Sequence, residues 1–412
     1  MPTDGGDIDE FVVVGGGIGG LAAALALAVA GRQVRVLERA SRFAEIGAGL
    51  QLAPNATRLL DRWGLLDRLL AVGHRPSRLV LADALRGTEL AWLDLGTPFL
   101  ERYGAPYVVA HRSDLHDLLL EGCRKAGVAL EPARDVTEVV PDADGVTVRS
   151  ADGRTNRCLA VVAADGLHSR LRALLSDDEP ICSGYVAYRG AIPIDSARHR
   201  ADLDDVVAWI GPGVHFVQYT LRAGALYNQV AVFRSERYRQ GAADWGGPDE
   251  LAQAFDTACP HVRGAAEDLR LDARWPMYDR EPIDRWVAGD RVALLGDAAH
   301  PMLQYLAQGA CQALEDADAL ARAVAAQPDD LAAALAAYTA ERAPHTARVQ
   351  RNARVWGDLW HADGLTAALR DDGLAGRSPT DYGATDWLYG AAPDQRASSP
   401  ARAHGPYPTG RR

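Results

Sequence analysis

The feature that most constrains this chain lies at its start. Phe11, Val12, Val13 and Val14 form a short β-branched run, and Gly15, Gly16, Gly17, Gly19 and Gly20 surround Ile18 in a tight turn. Strong helix formers fill 21–30, Gly31 closes them, and a second apolar run, 34–37, ends at Glu38. Strand, glycine turn, helix and strand in that order make a βαβ unit, whose crossover packs on a parallel sheet with a right-handed twist. The same stretch holds twenty consecutive uncharged residues, 11–30, long enough on length alone to span a bilayer. The acidic residues before it (Asp4, Asp7, Asp9, Glu10) and the glycines within it argue for a buried strand–turn–helix, not a signal peptide or membrane segment.

Each glycine has a task. Gly15, Gly17 and Gly20 stand in the G-x-G-x-x-G spacing, and Glu38 follows Gly20 by eighteen positions, which is the pattern of a dinucleotide-binding turn. Gly15 permits the sharp turn, Gly17 lets a diphosphate approach the backbone, and Gly20 lets helix and strand pack closely. Free N–H groups at the helix start favour the anion, and the Glu38 carboxylate suits an adenosine ribose diol while repelling a 2′-phosphate. Arg39, beside Glu38, and Val136 are counted with these cofactor-binding residues. The fingerprint by itself does not choose between NAD and FAD.

Composition removes other classes. The chain has 412 residues, 48% hydrophobic and 24% charged, ordinary for a globular protein of two or three subdomains. A net charge of −11 argues against a nucleic-acid binder. Arg342, Arg348, Arg351 and Arg354 recur at helical spacing and read as a solvated face. Cys123, Cys158, Cys182, Cys259 and Cys311 are odd in number and contain no C-x-x-C pair. Neither a disulfide framework nor a metal site is therefore expected, and the expected location is the reducing cytoplasm.

Along the chain, helical and loop segments are predicted to about Arg112, then a helix over 113–126 with Ser113 as N-cap and Gly127 as its stop. A hairpin of 136–140 and 146–148 turns at Asp144 and Gly145, and an apolar strand, 159–164, runs into Asp165 and Gly166. Four extended segments follow, 185–192, 206–210, 214–221 and 226–233. The chain returns to a buried strand at 292–295, then Gly296 and Asp297, then a helix over 309–326. Helices fill much of 330–374, and the last twenty residues, rich in Pro, Gly, Ser and Arg, read as disordered. The predicted fold class is α/β: a Rossmann-type dinucleotide-binding domain with an inserted antiparallel β-sheet substrate domain and a C-terminal helical region. The expected division is 1–180, an insert over 181–280, a return segment over 281–330, helices over 331–392 and a tail over 393–412.

Two further segments choose the cofactor. Ala164, Asp165 and Gly166 follow one apolar strand, and Gly296, Asp297, Ala298, Ala299, His300 and Pro301 follow another. With the N-terminal glycines they resemble, in order and spacing and to about residue 390, the three signatures of class A flavoprotein aromatic hydroxylases. The resemblance implies FAD. It places Asp297 on the ribityl chain, Asp165 and Gly166 near the pyrophosphate and nicotinamide, and Arg112 on the diphosphate. It sets Gly309 and Ala310, after Gln308, at a helix start facing the flavin pyrimidine edge, where the helix dipole favours the charge gained on reduction. His300 goes with the structural part of its motif. A single G-x-G-x-x-G implies that NADH (or NADPH) binds transiently as co-substrate, without a domain of its own.

A narrower resemblance, to the gentisate-forming 3-hydroxybenzoate 6-hydroxylases, rests on 302–311, 213–219, 226–233 and 385–390. Gln304 stands where many class A hydroxylases carry proline. With period two, His215, Val217 and Tyr219 share one face of a strand. His215 is the candidate to receive or relay the phenolic proton, Gln304 to orient the phenolic oxygen, and Tyr219 to donate to the substrate carboxylate. The implied partners are a small aromatic acid and O2 and a second copy in a homodimer, with no nucleic acid and no membrane span. Salicylate 1-hydroxylase, 6-hydroxynicotinate 3-hydroxylase and a hydroxylase of a modified hydroxybenzoate share the signatures and stay open. So does a flavin carrier without oxygenase activity.

Overall fold

The N-terminal unit folds as its glycines demand. In the computed structural model, which describes residues 9–45 and 47–390, strand Asp9–Val14 turns into helix Ile18–Val29 and returns as strand Val34–Leu37. The two strands pair in parallel with Phe11 opposite Val34. Leu21 to Leu27 are all buried, because the helix is rich in alanine and lies between the sheet and helix Gly309–Ala326. The sheet order is Val287–Ala288, Val292–Leu294, Thr155–Ala163, Asp9–Val14, Val34–Leu37, Ala129–Glu131, with all but the first parallel. The hairpin Val136–Pro141 and Val146–Ser150 extends from Thr155–Ala163. Parallel strands end on a common edge, so the loops after Val14, Leu37, Ala163 and Leu294 gather there, where open α/β sheets bind ligands.

The second sheet has seven strands, in the order Trp275–Asp279, Ile181–Pro193, Leu226–Arg234, Val214–Leu221, Asp205–Gly211, Arg78–Asp83, Glu89–Asp94. The four extended segments read from sequence are all present. Arg78–Asp83 and Glu89–Asp94 correct the reading of that stretch as helix and loop. Their apolar runs are too short for periodicity to separate strand from helix; Arg78–Asp83 is settled by a partner more than a hundred residues away, and Glu89–Asp94 by its pairing with Arg78–Asp83. Arg78–Asp83 pairs in parallel with Asp205–Gly211, so the sheet is antiparallel except at that seam. One face of it, including Val206, Ile210, Val217 and Tyr219, joins the core of the first sheet. The other face, with Phe216 and Phe233, packs on helices Pro248–Ala254 and Pro260–Glu267 around Leu251, Phe255 and Val262. Every residue of Val214–Leu221 is buried in consequence.

Two local expectations are corrected. The helix Arg112–Lys125 is capped by His111, whose ring Nδ1 accepts from the Ser113 N–H at 3.3 Å, so Ser113 lies inside the helix. The arginines at 342–354 are a solvated face only in part: Arg348 and Arg351 are exposed, Arg342 and Arg354 are not. Arg342 is buried against Asp316, Arg354 pairs with Asp279 and Glu281, and the exposed Arg348 lies 4.1 Å over the Trp387 ring. Sequence spacing locates a helix face but not what packs on it; here helix Leu331–Trp360 crosses helix Gly309–Ala326. Among the described residues no helix is long and apolar enough to cross a membrane. The tail over 393–412 lies outside the described residues.

Candidate active site

The strand-end edge of the first sheet carries a cleft of about 400 Å³. Gly15, Gly17, Glu38, Arg39, Arg112, Val136, Asp165, Asp297, Gly309 and Ala310 all line it. Gly20 lies just below: a Cβ there would sit 1.9 Å from the Gly15 carbonyl oxygen, so its absence lets helix and turn close on each other. Glu38 accepts from the N–H groups of Gly16 and Ala40, each at 2.7 Å, which ties the glycine turn to the end of the second strand. Each of its oxygens keeps a lone pair for a ribose hydroxyl. Asp165 uses its charge locally, accepting from Ser169 Oγ at 2.6 Å and from the N–H groups of Arg170 and Leu171.

The donor set fits FAD. Gly166 and Gly309 would have no atom within 4 Å of an added Cβ, and Gly17 would meet only Glu45 Oε1 at 3.5 Å, so at all three the backbone faces the open space of the cleft. Arg112 stands over that space and donates to both carboxylate oxygens of Glu45, at 2.9 and 3.3 Å. Asp297 is exposed into the cleft. Glu45, Arg134, His168 and Arg170 also line it, and no motif marks them in the sequence.

A buried network braces the end of the cleft at Asp297 and Gly309. Asp316 accepts from the Gly296 N–H at 3.0 Å, from Arg342 Nε at 2.7 Å and from His300 Nε2. Arg342 also donates to Gln312 Oε1, Gln312 Nε2 to Gln308 Oε1, and Asn55 Nδ2 to that same oxygen. One carboxylate thus fixes the residue before Asp297 and, through Arg342 and Gln312, the residue before Gly309, Gln308. His300 lies inside this scaffold under Trp286, outside the cleft.

Arg342 and the His300 ring beside it hold the Asp316 carboxyl at about 2, against the cost of its burial. Its unfolded value is near 4. The stability it contributes, roughly 2 kcal/mol, is therefore fully present above about pH 4 and is lost as pH falls toward 2. Urea unfolding across pH 2–6 is expected to show the gap between wild type and Asp316→Asn narrowing on acidification. A gap independent of pH would remove Asp316 from this account.

The other predicted residues do not line this cleft; His215 and Tyr219 lie on the face of the second sheet that joins the core of the first. His215 is fully buried. Its Nδ1 lies 2.8 Å from His361 Nε2, and Gln304 Nε2 lies 3.4 Å from its Nε2. An amide N–H can only donate, so His215 Nε2 carries the lone pair and the Nδ1–H donates to His361. The edges of Tyr305 and Trp360 close the ring in, and burial pushes its pKa well below the ordinary histidine value. Gln304 opens the short turn Gln304–Leu306 that leads into the helix whose first residues line the cleft. The structure thus brings His215 and Gln304 together.

Tyr219 occupies a second station, about 13 Å further along the strand at the usual rise per residue. Its ring packs on Gly49, where an added Cβ would lie 2.6 Å from the phenol oxygen, and Asn228 Oδ1 accepts from the Gly49 N–H at 2.7 Å. Burial pushes the Tyr219 phenol up, opposed by the nearby charge of Arg189. Arg189, which the sequence reading leaves without a role, is exposed on this same sheet face with its guanidinium 4.7 Å over the Trp275 ring. Its field reaches Tyr219, Arg112 and Glu45. Its signal was faint, an alternating strand position between Tyr188 and Gly190.

Comparison with known proteins agrees with this geometry. The sequence profile of the FAD binding domain family matches residues 10–353. A 3-hydroxybenzoate 6-hydroxylase of Polaromonas naphthalenivorans (strain CJ2) is 38% identical over 381 residues, 92% of this chain and 95% of that protein. A 3-amino-4-hydroxybenzoate 2-monooxygenase of Streptomyces platensis is 39% identical over 93% of this chain and 97% of its own length. Among solved structures, Klebsiella pneumoniae HpxO complexed with FAD and uric acid superposes with a TM-score of 0.82 at 29% identity, covering 93% of this chain and 97% of that one.

Proposed function

The chain belongs to the FAD binding domain family and is a flavin-dependent aromatic monooxygenase, and on that premise we propose that it hydroxylates 3-hydroxybenzoate para to its hydroxyl. The balanced reaction is 3-hydroxybenzoate + NADH + H⁺ + O2 → 2,5-dihydroxybenzoate (gentisate) + NAD⁺ + H2O. The observation that carries this reading is the His215–Gln304 pair, an imidazole and an amide donor 3.4 Å apart, with Gln304 in the turn that leads into the helix start lining the cleft.

Glu38, Arg112, Asp297 and the backbone at Gly15, Gly17, Asp165, Gly309 and Ala310 would hold FAD, with Arg39 and Val136 lining the same cleft. When bound, FAD takes electrons from NADH and activates O2, which side chains cannot do. The chain's own part is to make the ring electron-rich. His215 Nε2 takes the phenolic proton, and the Gln304 N–H then turns to the phenolate oxygen and orients the ring. Phenolate oxygen directs attack ortho and para. The apolar seal of Tyr305 and Trp360 keeps water away, so oxygen is delivered to the ring and not lost as H2O2.

The substrate carboxylate goes to the second station, with Tyr219 donating and Arg189 supplying the charge. Arg189→Met is expected to raise KM for 3-hydroxybenzoate roughly 10- to 100-fold, the loss of one charge-assisted hydrogen bond. The KM for 3-hydroxybenzamide should hardly change. An equal rise for acid and amide would refute the charge contact.

The function is tested by offering 3-hydroxybenzoate, salicylate, 6-hydroxynicotinate and 3-amino-4-hydroxybenzoate with NADH and O2 and identifying products. Gentisate formed in proportion to NADH oxidised is the expected result. Catechol from salicylate, or turnover confined to another acid, would overturn the substrate. No aromatic stimulation of O2 uptake would favour a flavin carrier.

A further inference from the structure

The base of the proposed reaction has no way of its own to lose a proton. His215 is fully buried, and its two ring nitrogens face only Gln304 and His361. A primary amide does not accept a proton at nitrogen. His361 is different in kind. It ends helix Leu331–Trp360 as its C-cap, keeps 9% of its surface in solvent, and stacks on His215 at 5.1 Å between ring centroids. Its outer face stacks on Tyr185 at 4.3 Å, and its carbonyl accepts from the Gly213 N–H at 3.3 Å, which pins the helix end to the start of the His215 strand.

We propose that His361 is a positioning residue that carries the substrate proton from His215 to water, on the proposed reading of His215 as the base. The phenolic O–H bond breaks and an N–H bond forms at His215 Nε2. The His215 Nδ1 proton passes across the 2.8 Å hydrogen bond to His361 Nε2, and the proton on His361 Nδ1 leaves to solvent. Both rings end neutral, each with its tautomer reversed. The same path run backwards on product release resets them. Burial lowers the proton affinity of both rings, so a proton entering the pair does not rest there. The groups facing the pair are neutral rings, Tyr185, Tyr305 and Trp360, and the nearest acidic group on the helix, Asp358, is exposed one turn earlier and stands toward solvent. At the same helix end Arg370, paired with Asp371, donates to the carbonyls of Leu359 and Trp360.

The test follows proton release when the FAD-loaded enzyme is mixed with 3-hydroxybenzoate in weak buffer containing a pH-indicator dye, by stopped flow. Wild type is expected to release about one proton per site in a fast phase. His361→Ala is expected to slow that phase at least 10-fold, and imidazole is expected to restore it. His361→Gln keeps a carbonyl to accept from His215 Nδ1–H but has no proton to pass on, so it too should be slow, and it serves if the alanine variant fails to hold FAD. A fast phase in a FAD-loaded His361 variant, or slowing that imidazole does not relieve, overturns the relay alone. A wild-type enzyme that binds the acid and releases no proton overturns the phenol-ionising reading and the relay with it.

Discussion

Gly20→Ala is expected to purify without flavin and to unfold early, whereas Gly17→Ala is expected to fold normally and fail only in holding FAD. The two glycines stand three residues apart in one motif, yet they meet different surroundings. A methyl at Gly20 would lie 1.9 Å from the Gly15 carbonyl oxygen and 3.0 Å from its carbon, both backbone atoms. The turn cannot open to make room, because Gly15 is itself held at φ +109° with its own Cβ position 2.3 Å from the Ala164 carbonyl oxygen. Overpacking against rigid backbone plus the strain passed to Gly15 costs roughly 2–4 kcal/mol. That is a large share of the roughly 5–15 kcal/mol by which domains are stable. Gly17 has an extended backbone any residue adopts, and its nearest neighbour, Glu45 Oε1 at 3.5 Å, is at ordinary contact distance. The methyl fits the free protein and obstructs only the ligand. Losing about two charge-assisted hydrogen bonds to the diphosphate corresponds to roughly a 100-fold or greater weakening of FAD binding. Thermal unfolding of the apoproteins and titration with FAD separate the cases. Equal loss of stability in both variants would mean that Gly17 serves the fold and not the cofactor.

That contrast also explains how much of the site could be read without coordinates. The cofactor cleft was legible because each of its elements is local. A glycine turn, an Asp165-Gly166 pair and a Gly296-Asp297 pair each follow a short apolar run, and parallel strands must bring their ends to one edge. The sheet face was legible for the same reason: His215 and Tyr219 share a face by strand period alone. What the sequence withheld is long-range pairing. The strand Arg78–Asp83 was hidden because its parallel partner comes more than a hundred residues later, and Glu89–Asp94, which pairs only with it, was hidden with it. Arg342 read as solvated because its spacing says nothing of Asp316, twenty-six residues away on a crossing helix. His361 had no signal at all: it lies 146 residues from the imidazole it touches, at a helix end with no motif. Asp165 shows the converse. Its motif was seen, but its carboxylate is spent on capping the next turn.

The second large effect is expected at His215. His215→Asn should oxidise NADH in the presence of 3-hydroxybenzoate yet form gentisate roughly 10- to 10,000-fold more slowly, with H2O2 as the main product. Gln304→Leu should do the same to a smaller degree, since it removes a hydrogen bond to the phenolate and leaves the base. A slowed rate alone does not separate lost chemistry from a disturbed core, because His215 packs against Tyr305, Trp360 and His361. The pH profile does. In wild type the imidazole is neutral throughout pH 6.5–8.5, because burial holds its pKa well below the ordinary value, so product formation should be nearly flat there. In His215→Asn nothing in the pocket takes the phenolic proton, and only the fraction of substrate ionised by solvent can react. A phenol titrates near pH 10, so product formation should climb about tenfold per pH unit across the same range. A packing defect has no reason to heal with rising pH. A flat profile in the variant, or gentisate formation at the wild-type rate, would place the imidazole among the merely buried and return the ionisation of the ring to the solvent.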